Sequence, residues 1–216
     1  MERIICIAIG YIFGLFQTAF IYGKMHGIDI RDHGSGNAGT TNALRVLGTK
    51  AGLIVFAGDV IKCILAMVVC GLLFSEAHPE HAYLFRLYGA AGAILGHNFP
   101  FYLNFRGGKG IAATAGLILA FHPYFIPMGV ILFFGIFLTT HYVSLGSLLV
   151  YAGVMLEMII CGQLGVFGAP QEVLIEMYLI TAFLTIMAYY KHKENIKRLL
   201  KGEERKTYLF KKNKVD

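Results

Sequence analysis

The fold is decided by Gly52–Phe74, GLIVFAGDVIKCILAMVVCGLLF, an apolar run in which Asp59 and Lys62 are the only charged residues. A helix of about 20 apolar residues spans the ~30 Å hydrocarbon core of a bilayer, so this run predicts a transmembrane helix. The whole chain agrees, because 56% of its 216 residues are hydrophobic and 15% are charged, on the membrane side of ordinary globular usage. We expect a single polytopic membrane domain over 1–216.

Other apolar segments repeat the pattern and predict an all-α integral membrane protein with about seven transmembrane helices. The opening run is long for a signal peptide, so it predicts a retained first helix. Two segments, 111–124 and 125–140, are shorter than ~20 residues, which leaves five or six full spans with a re-entrant piece as an alternative. The apolar segments besides 52–74 are 3–22, 82–99, 111–124, 125–140, 144–161 and 173–190.

The basic residues predict the orientation. Loops 75–81 and 162–172 carry little positive charge. The positive-inside rule therefore predicts an N-terminus outside and a C-terminus in the cytoplasm. The basic tail 191–216 supplies much of the net charge of +6; behind an apolar segment it favours membrane lipids over nucleic acid as a partner. The basic segments on the predicted cytoplasmic side are 23–51, 100–110, 141–143 and 191–216.

The first Gly-rich stretch, 34–42, predicts an anion site at the start of a helix over 40–45. Glycine lets backbone N–H groups turn toward a ligand, and the N-terminus of a helix favours negative charge. The stretch matches G-x-G-x-x-G formally, but no apolar strand precedes it and the chain has no βαβ period, which excludes a dinucleotide fold. The alternative is a plain polar turn that caps a helix. Candidate binding or catalytic residues here are Ser35, Gly36, Asn37, Thr41, Asn42 and Arg45.

The second Gly-rich stretch, 104–110, places Lys109 among glycines directly before an apolar segment. No Ser or Thr follows the lysine, so the stretch is not a P-loop. A cation held where the backbone can approach a ligand predicts anion contact by Lys109, Gly107 and Gly108, while a positive-inside anchor is the alternative. His97 precedes this loop by a few residues and becomes a further candidate, although a lone histidine there is more often structural.

Further polar residues lie at the same predicted end or inside the spans. Ser144 follows a short turn and could add a hydroxyl, and His192 and Asn195 share one helix face at a spacing of three. Asp59 and Lys62 also share a face, which favours a mutual ion pair supporting the bundle over direct substrate contact. Glu157 has no partner visible in the sequence.

These stretches together resemble the bacterial membrane acyl-phosphate:glycerol-3-phosphate acyltransferases, the PlsY family. The resemblance covers nearly the whole chain. Two departures are Thr40, where the family usually has Ala, and His141, where a basic Arg is expected. The segments that carry the resemblance, in family order, are 34–42, 96–110, 142–145 and 192–196.

The resemblance implies transfer of a fatty acyl group from acyl phosphate to the sn-1 hydroxyl of glycerol 3-phosphate at the cytoplasmic face of a bacterial cell membrane. Lysophosphatidic acid and phosphate are the products, and no metal, cofactor or oligomer is required. This reaction brings several negative charges of the substrates together, and two Gly-rich loops carrying Lys109 and Arg45 could stabilise them. No histidine has an Asp five residues later, so the usual base of other acyltransferases is absent. We expect catalytic roles for Lys109, Ser35, Asn37 and His192, and substrate binding by the remaining candidates.

Two rival classes remain on the sequence alone. A transporter could pass a phosphorylated anion through the same loops, but the polar groups gather at one face and no matching pair of broken spans is present. A non-catalytic membrane scaffold would explain the apolar spans but not two Gly-flanked cation sites. Phosphate release by detergent-solubilised protein discriminates them, because transport requires a sealed vesicle.

Overall fold

The computed structural model describes residues 1–209 and 213, and within them the regular secondary structure is helical, with no strand. Lys211, Lys212 and Lys214 of the predicted basic tail lie outside the described residues. The α-helices are α1 (Glu2–Gly14), α2 (Thr18–Met25), α3 (Thr40–Leu47), α4 (Thr49–Phe74), α5 (Ala82–Asn98), α6 (Ile111–Phe121), α7 (Phe125–Thr140), α8 (Val143–Gln163), α9 (Gln171–Lys191) and α10 (Lys193–Leu200).

Within the part of the chain that the structure describes, four helical segments are long and apolar enough to cross a membrane, and α6 and α7 are shorter apolar helices. All the predicted apolar segments are helical, and the predicted helix after the first Gly-rich stretch is present as α3. The four long segments are Glu2–Met25, Thr49–Phe74, Val143–Gln163 and Gln171–Lys191.

The first predicted segment differs from expectation because it is divided into α1 and α2 by a break at 15–17. Within this break the side-chain amide of Gln17 donates to the carbonyl oxygens of Gly14 (3.0 Å), Gly96 (3.2 Å) and His97 (3.1 Å). The carbonyl of Phe16 accepts from the Lys62 ammonium at 2.8 Å. Lys62 of α4 therefore satisfies a carbonyl that the break releases, and Gln17 of the break satisfies carbonyls at the ends of α1 and α5.

Helix α5 lies at the centre of the bundle, in direct backbone contact with α1. A Cβ at Gly10 would overlap the carbonyl of Gly89, and a Cβ at Gly96 would overlap the carbonyl of Tyr11. Small residues allow this close approach, as is common between helices in membranes. The C-terminal end of α5 is consequently fixed in the middle of one end of the bundle. Buried residues of the main core include Leu84, Leu87, Ile94, Leu117, Met158 and Met177.

The outside of the bundle is apolar, as expected of a surface that faces lipid. Large apolar side chains of α7, α8 and α9 are exposed, among them Leu138, Leu156 and Leu179. All four cysteines are buried and free, so they pack as small apolar residues.

Candidate active site

The two Gly-rich stretches meet at one end of the bundle; we call them the Ser35 loop (34–39) and the Lys109 loop (104–110). The Lys109 loop folds onto the end of α5, where the Gly108 N–H donates to the His97 carbonyl at 3.0 Å. A Cβ at Gly108 would lie 3.0 Å from the carbonyl oxygen of Ala38 in the Ser35 loop. The loops are thus in contact, as a single site requires.

Asn42 organises the Ser35 loop from the first turn of α3. Both donors of its amide are used, to the carbonyls of Ile30 (3.0 Å) and His33 (2.9 Å), and its oxygen accepts from the Ser35 N–H at 2.8 Å. Gly34 adopts a φ of 60° and has no room for a Cβ beside the Asn42 amide. These contacts explain why the loop needs glycine and a buried asparagine.

The surface of the Ser35 loop remains open to a ligand. Ser35 and Gly36 are exposed, and Asn37 and Thr41 are half-buried. Short polar side chains and a glycine backbone at the start of α3 form a suitable surface for an anion.

Arg45 of α3 contacts the segment that follows α10, which in turn contacts the Ser35 loop. Its Nη2 donates to the Thr207 hydroxyl at 2.5 Å and to the Arg205 carbonyl at 3.3 Å. The Arg205 guanidinium in turn donates to the Gly34 carbonyl at 3.4 Å, and the Thr207 N–H donates to the His141 carbonyl at 3.0 Å. This segment therefore ties α3, the Ser35 loop and the turn before α8 together.

Lys109, Asn195 and Ser144 converge on one buried carboxylate, that of Glu204. The Lys109 ammonium donates to the Asn195 side-chain oxygen. Glu204 Oε1 accepts from Asn195 Nδ2 at 2.7 Å and from the Ser144 hydroxyl at 2.8 Å, and Oε2 accepts from Arg198 Nε at 2.8 Å. Glu204 was not predicted from the sequence, because an acid within a basic tail is usually solvated.

Lys109 is less basic than an ordinary lysine. Burial lowers its pKa to about 8, the Arg198 cation contributes in the same direction, and Glu204 opposes both. The Lys109 side chain is therefore mostly protonated at neutral pH, but its pKa is close enough to this pH for a modest rise in pH to remove the charge. A desolvated cation on a glycine loop is well suited to contact an anion.

His192 lies at the junction of α9 and α10, 3% exposed. Its Nδ1 donates to the Ala188 carbonyl at 2.8 Å, which leaves Nε2 with a lone pair. Burial lowers the pKa of His192 to about 4, and the Lys109 cation adds to this effect. The ring is consequently neutral at pH 7 and offers an acceptor.

His97 is buried beneath the Lys109 loop, and its ring fills the space that a Cβ at Gly108 would need. Its Nδ1 lies 2.9 Å from the Lys62 ammonium. Lys62 also contacts Asp59 at 2.7 Å, which confirms the predicted ion pair. Glu157 Oε2 has no hydrogen-bond partner among the described residues.

An apolar bundle of helices, with cations and Gly-rich loops gathered at one end, defines a multi-pass integral membrane protein. The sequence model of the glycerol-3-phosphate acyltransferase family matches residues 4–202, and the chain belongs to this family. The family predicted from the sequence stretches is therefore confirmed.

Individual relatives align with this chain over nearly their full lengths. The chain is 38% identical over 220 residues to a glycerol-3-phosphate acyltransferase of Exiguobacterium sibiricum, covering 100% of this chain and 98% of the relative. It is 36% identical over 204 residues to one of Bacillus subtilis, covering 93% and 95%. The chain also resembles the crystal structure of PlsY, an integral membrane glycerol 3-phosphate acyltransferase, in its glycerol 3-phosphate form. The TM-score is 0.80 at 29% sequence identity, and the match covers 98% of this chain and 100% of that chain. The lysophosphatidic acid form gives a TM-score of 0.78 at 27% identity, covering 95% of each chain.

Proposed function

We propose that the protein transfers a fatty acyl group from an acyl phosphate to the sn-1 hydroxyl of glycerol 3-phosphate, releasing lysophosphatidic acid and phosphate. The observation that carries this proposal is the cluster of Lys109, Arg45 and Arg198 on and beside two Gly-rich loops, next to the neutral His192. Membership of the family and the ligands named for the PlsY crystal structures support it.

Both substrates carry a phosphate, so the site must bind two anions. The Ser35 loop offers the Ser35 hydroxyl, the Asn37 amide and backbone N–H groups to one phosphate, with Arg45 behind them. The Lys109 loop offers the ammonium. The N–H groups of Gly107 and Gly108, expected from the sequence to bind substrate, donate instead to the carbonyls of Asn98 and His97 and hold the loop in place. The remaining substrate contacts in this scheme are Gly36 and Thr41, while Asn42 and His97 act by holding the loops. Ser144 and Asn195, expected from the sequence to bind substrate, instead donate to Glu204 and hold it beside Lys109.

The reaction forms a bond between the sn-1 oxygen and the acyl carbon and breaks the bond between that carbon and the phosphate oxygen. Nε2 of His192 accepts a hydrogen bond from the sn-2 hydroxyl of glycerol 3-phosphate, which directs the sn-1 oxygen toward the acyl carbonyl and leaves the sn-1 proton free for transfer. Lys109 stabilises the negative charge that develops on the acyl oxygen and the leaving phosphate. The hydroxyl proton passes to an oxygen of the departing phosphate, so atoms and charge balance without an added base.

The assay that tests this function uses purified detergent-solubilised protein with palmitoyl phosphate and glycerol 3-phosphate. We expect release of phosphate together with lysophosphatidic acid identified by mass spectrometry. Folded protein that forms no lysophosphatidic acid would overturn the proposal. Uptake of glycerol 3-phosphate into sealed proteoliposomes without acyl transfer would instead support a transporter.

We further propose that residues 1–216 form one membrane domain with seven spans, an outer N-terminus and a cytoplasmic C-terminus, in a bacterial inner membrane. In this topology α1 and α2 together form the first span, and the active site faces the cytoplasm. The excess of basic residues in the loops at the site end supports it. A single cysteine at exposed position 78 should react with an impermeant reagent from outside, and cysteines at exposed positions 35 and 106 only from inside. Labelling of position 35 from outside would contradict this orientation.

A further inference from the structure

The ammonium of Lys62 is fully coordinated inside the bundle. Its side chain is 4% exposed, and its Nζ contacts the Phe16 carbonyl at 2.8 Å, Asp59 Oδ1 at 2.7 Å and His97 Nδ1 at 2.9 Å. An ammonium has three N–H donors and no lone pair, so each contact takes one donor. The three acceptors come from three separate helical regions of the chain.

This coordination fixes the state of His97. Because the ammonium can only donate, Nδ1 of His97 must accept, and the ring proton of the neutral imidazole must sit on Nε2. The distance of 3.6 Å from His97 Nδ1 to Asp59 Oδ1 is too long for a competing hydrogen bond. Lys62 therefore selects both the tautomer and the orientation of the ring.

The opposite edge of the ring supports the Lys109 loop. Nε2 of His97 lies where a Cβ at Gly108 would be, so the loop backbone passes directly over the imidazole. The Gly108 N–H donates to the His97 carbonyl at 3.0 Å, and the Gly107 N–H donates to the Asn98 carbonyl at 3.3 Å. The position of the loop before Lys109 thus depends on how His97 is held.

The break between α1 and α2 belongs to the same network. It releases the Phe16 carbonyl for Lys62, and Thr18 donates to Asp59 Oδ1 at 3.2 Å. Gln17 caps the His97 carbonyl at 3.1 Å. An ion pair within α4 that only neutralised its own two charges would not need a broken helix and a histidine as additional partners.

We propose that Asp59 and Lys62 are positioning residues of the active site, which hold His97 in one orientation and tautomer and thereby set the backbone path that carries Lys109. This inference deepens the proposed acyl transfer and rests on it for its kinetic test. Asp59 orients the ammonium, Lys62 orients the imidazole, and the imidazole supports the glycines of the Lys109 loop. None of the three touches substrate in this scheme.

The kinetic test removes both charges together, because a single substitution would leave an unpaired buried charge. Asp59→Asn/Lys62→Met should lower kcat by about ten- to a hundredfold, since a small displacement of a catalytic group has effects of this size. KM for glycerol 3-phosphate should change much less. The matched control is Arg3→Met/Glu176→Gln, which removes an ion pair of 2.6 Å elsewhere in the bundle and should leave kcat unchanged. Unchanged kcat in folded Asp59→Asn/Lys62→Met would overturn the inference.

The second measurement does not depend on activity or on the folding of Asp59→Asn/Lys62→Met. Nitrogen-15 NMR of histidine-labelled wild-type protein in detergent, with the His97 signal assigned by its loss in His97→Gln, should give a single tautomer protonated at Nε2. A proton on Nδ1, or a mixture of tautomers, would overturn the inference. Inactive wild-type protein with the expected tautomer would count against the proposed function alone.

Discussion

Replacing Lys109 by alanine should reduce turnover by at least about a hundredfold, because a cationic contact to developing negative charge is worth ~3 kcal/mol. The effect on folding should be smaller. Among the described residues the ammonium makes one side-chain hydrogen bond, to Asn195, and a hydrogen bond to a charged group contributes about 1.5–3 kcal/mol. The variant should therefore remain folded, and the loss should appear in kcat.

The assay is phosphate release from palmitoyl phosphate at neutral pH, with kcat and KM determined for both substrates. Arg106→Ala is the matched control, because Arg106 is an exposed cation three residues earlier on the same loop. It removes the same charge from the same membrane surface without touching the buried cluster. Near-native turnover of Lys109→Ala, or an equal loss of turnover in Arg106→Ala, would show that Lys109 acts only as a membrane anchor.

The pH dependence supplies a second signature of Lys109. Burial and Arg198 lower its pKa to about 8, and the protonated form is the one that stabilises negative charge. Activity should therefore fall as the pH rises through about 8, well below the pKa of an exposed lysine. This alkaline decline should be missing from the residual activity of Lys109→Ala.

Three further predictions concern the residues around Lys109. His192→Gln keeps a hydrogen-bonding group and should retain measurable activity, and its rate should decline at low pH in the same way as that of the wild type. A loss of activity above about ten-thousandfold would make His192 the general base. Glu204→Gln removes the charge that raises the Lys109 pKa, so the alkaline midpoint of kcat should move below about 8, and an unmoved midpoint would contradict this coupling. Asn42→Ala strands the Ser35 N–H and two buried carbonyls, which should raise KM and lower the thermal midpoint measured in detergent; unchanged values would show that the loop holds itself.

The sequence was sufficient to predict the helical bundle and the two loops. Apolar runs such as 52–74 leave few alternatives to a membrane helix, and glycine beside Lys109 restricts what that loop can do. The break at 15–17 was not predictable, because its residues fit a continuous apolar helix. Its cause lies in contacts with Lys62 and with the end of α5, which are distant in the sequence.

The same distinction separates the site residues that were found from those that were missed. A spacing of three was enough to pair Asp59 with Lys62, because a helix places such residues on one face. Nothing local connects Lys62 with His97 or Ser144 with Glu204, since these contacts exist only after distant helices pack. Long-range polar contacts in the bundle are therefore the part that required the structure.

The states of the two histidines bear directly on where the proton goes. His97 carries its proton on Nε2 and supports a loop, so it is not available as a base at the reacting hydroxyl. His192 does offer a lone pair on Nε2, but burial and the Lys109 cation lower its pKa to about 4. The leaving phosphate oxygen becomes the stronger base of the two, because it gains negative charge as its bond to the acyl carbon breaks. An enzyme that binds its leaving phosphate beside the attacking hydroxyl can therefore use that phosphate as the proton acceptor, and the Lys109 cation that holds the phosphate also keeps the imidazole neutral and able to orient the glycerol.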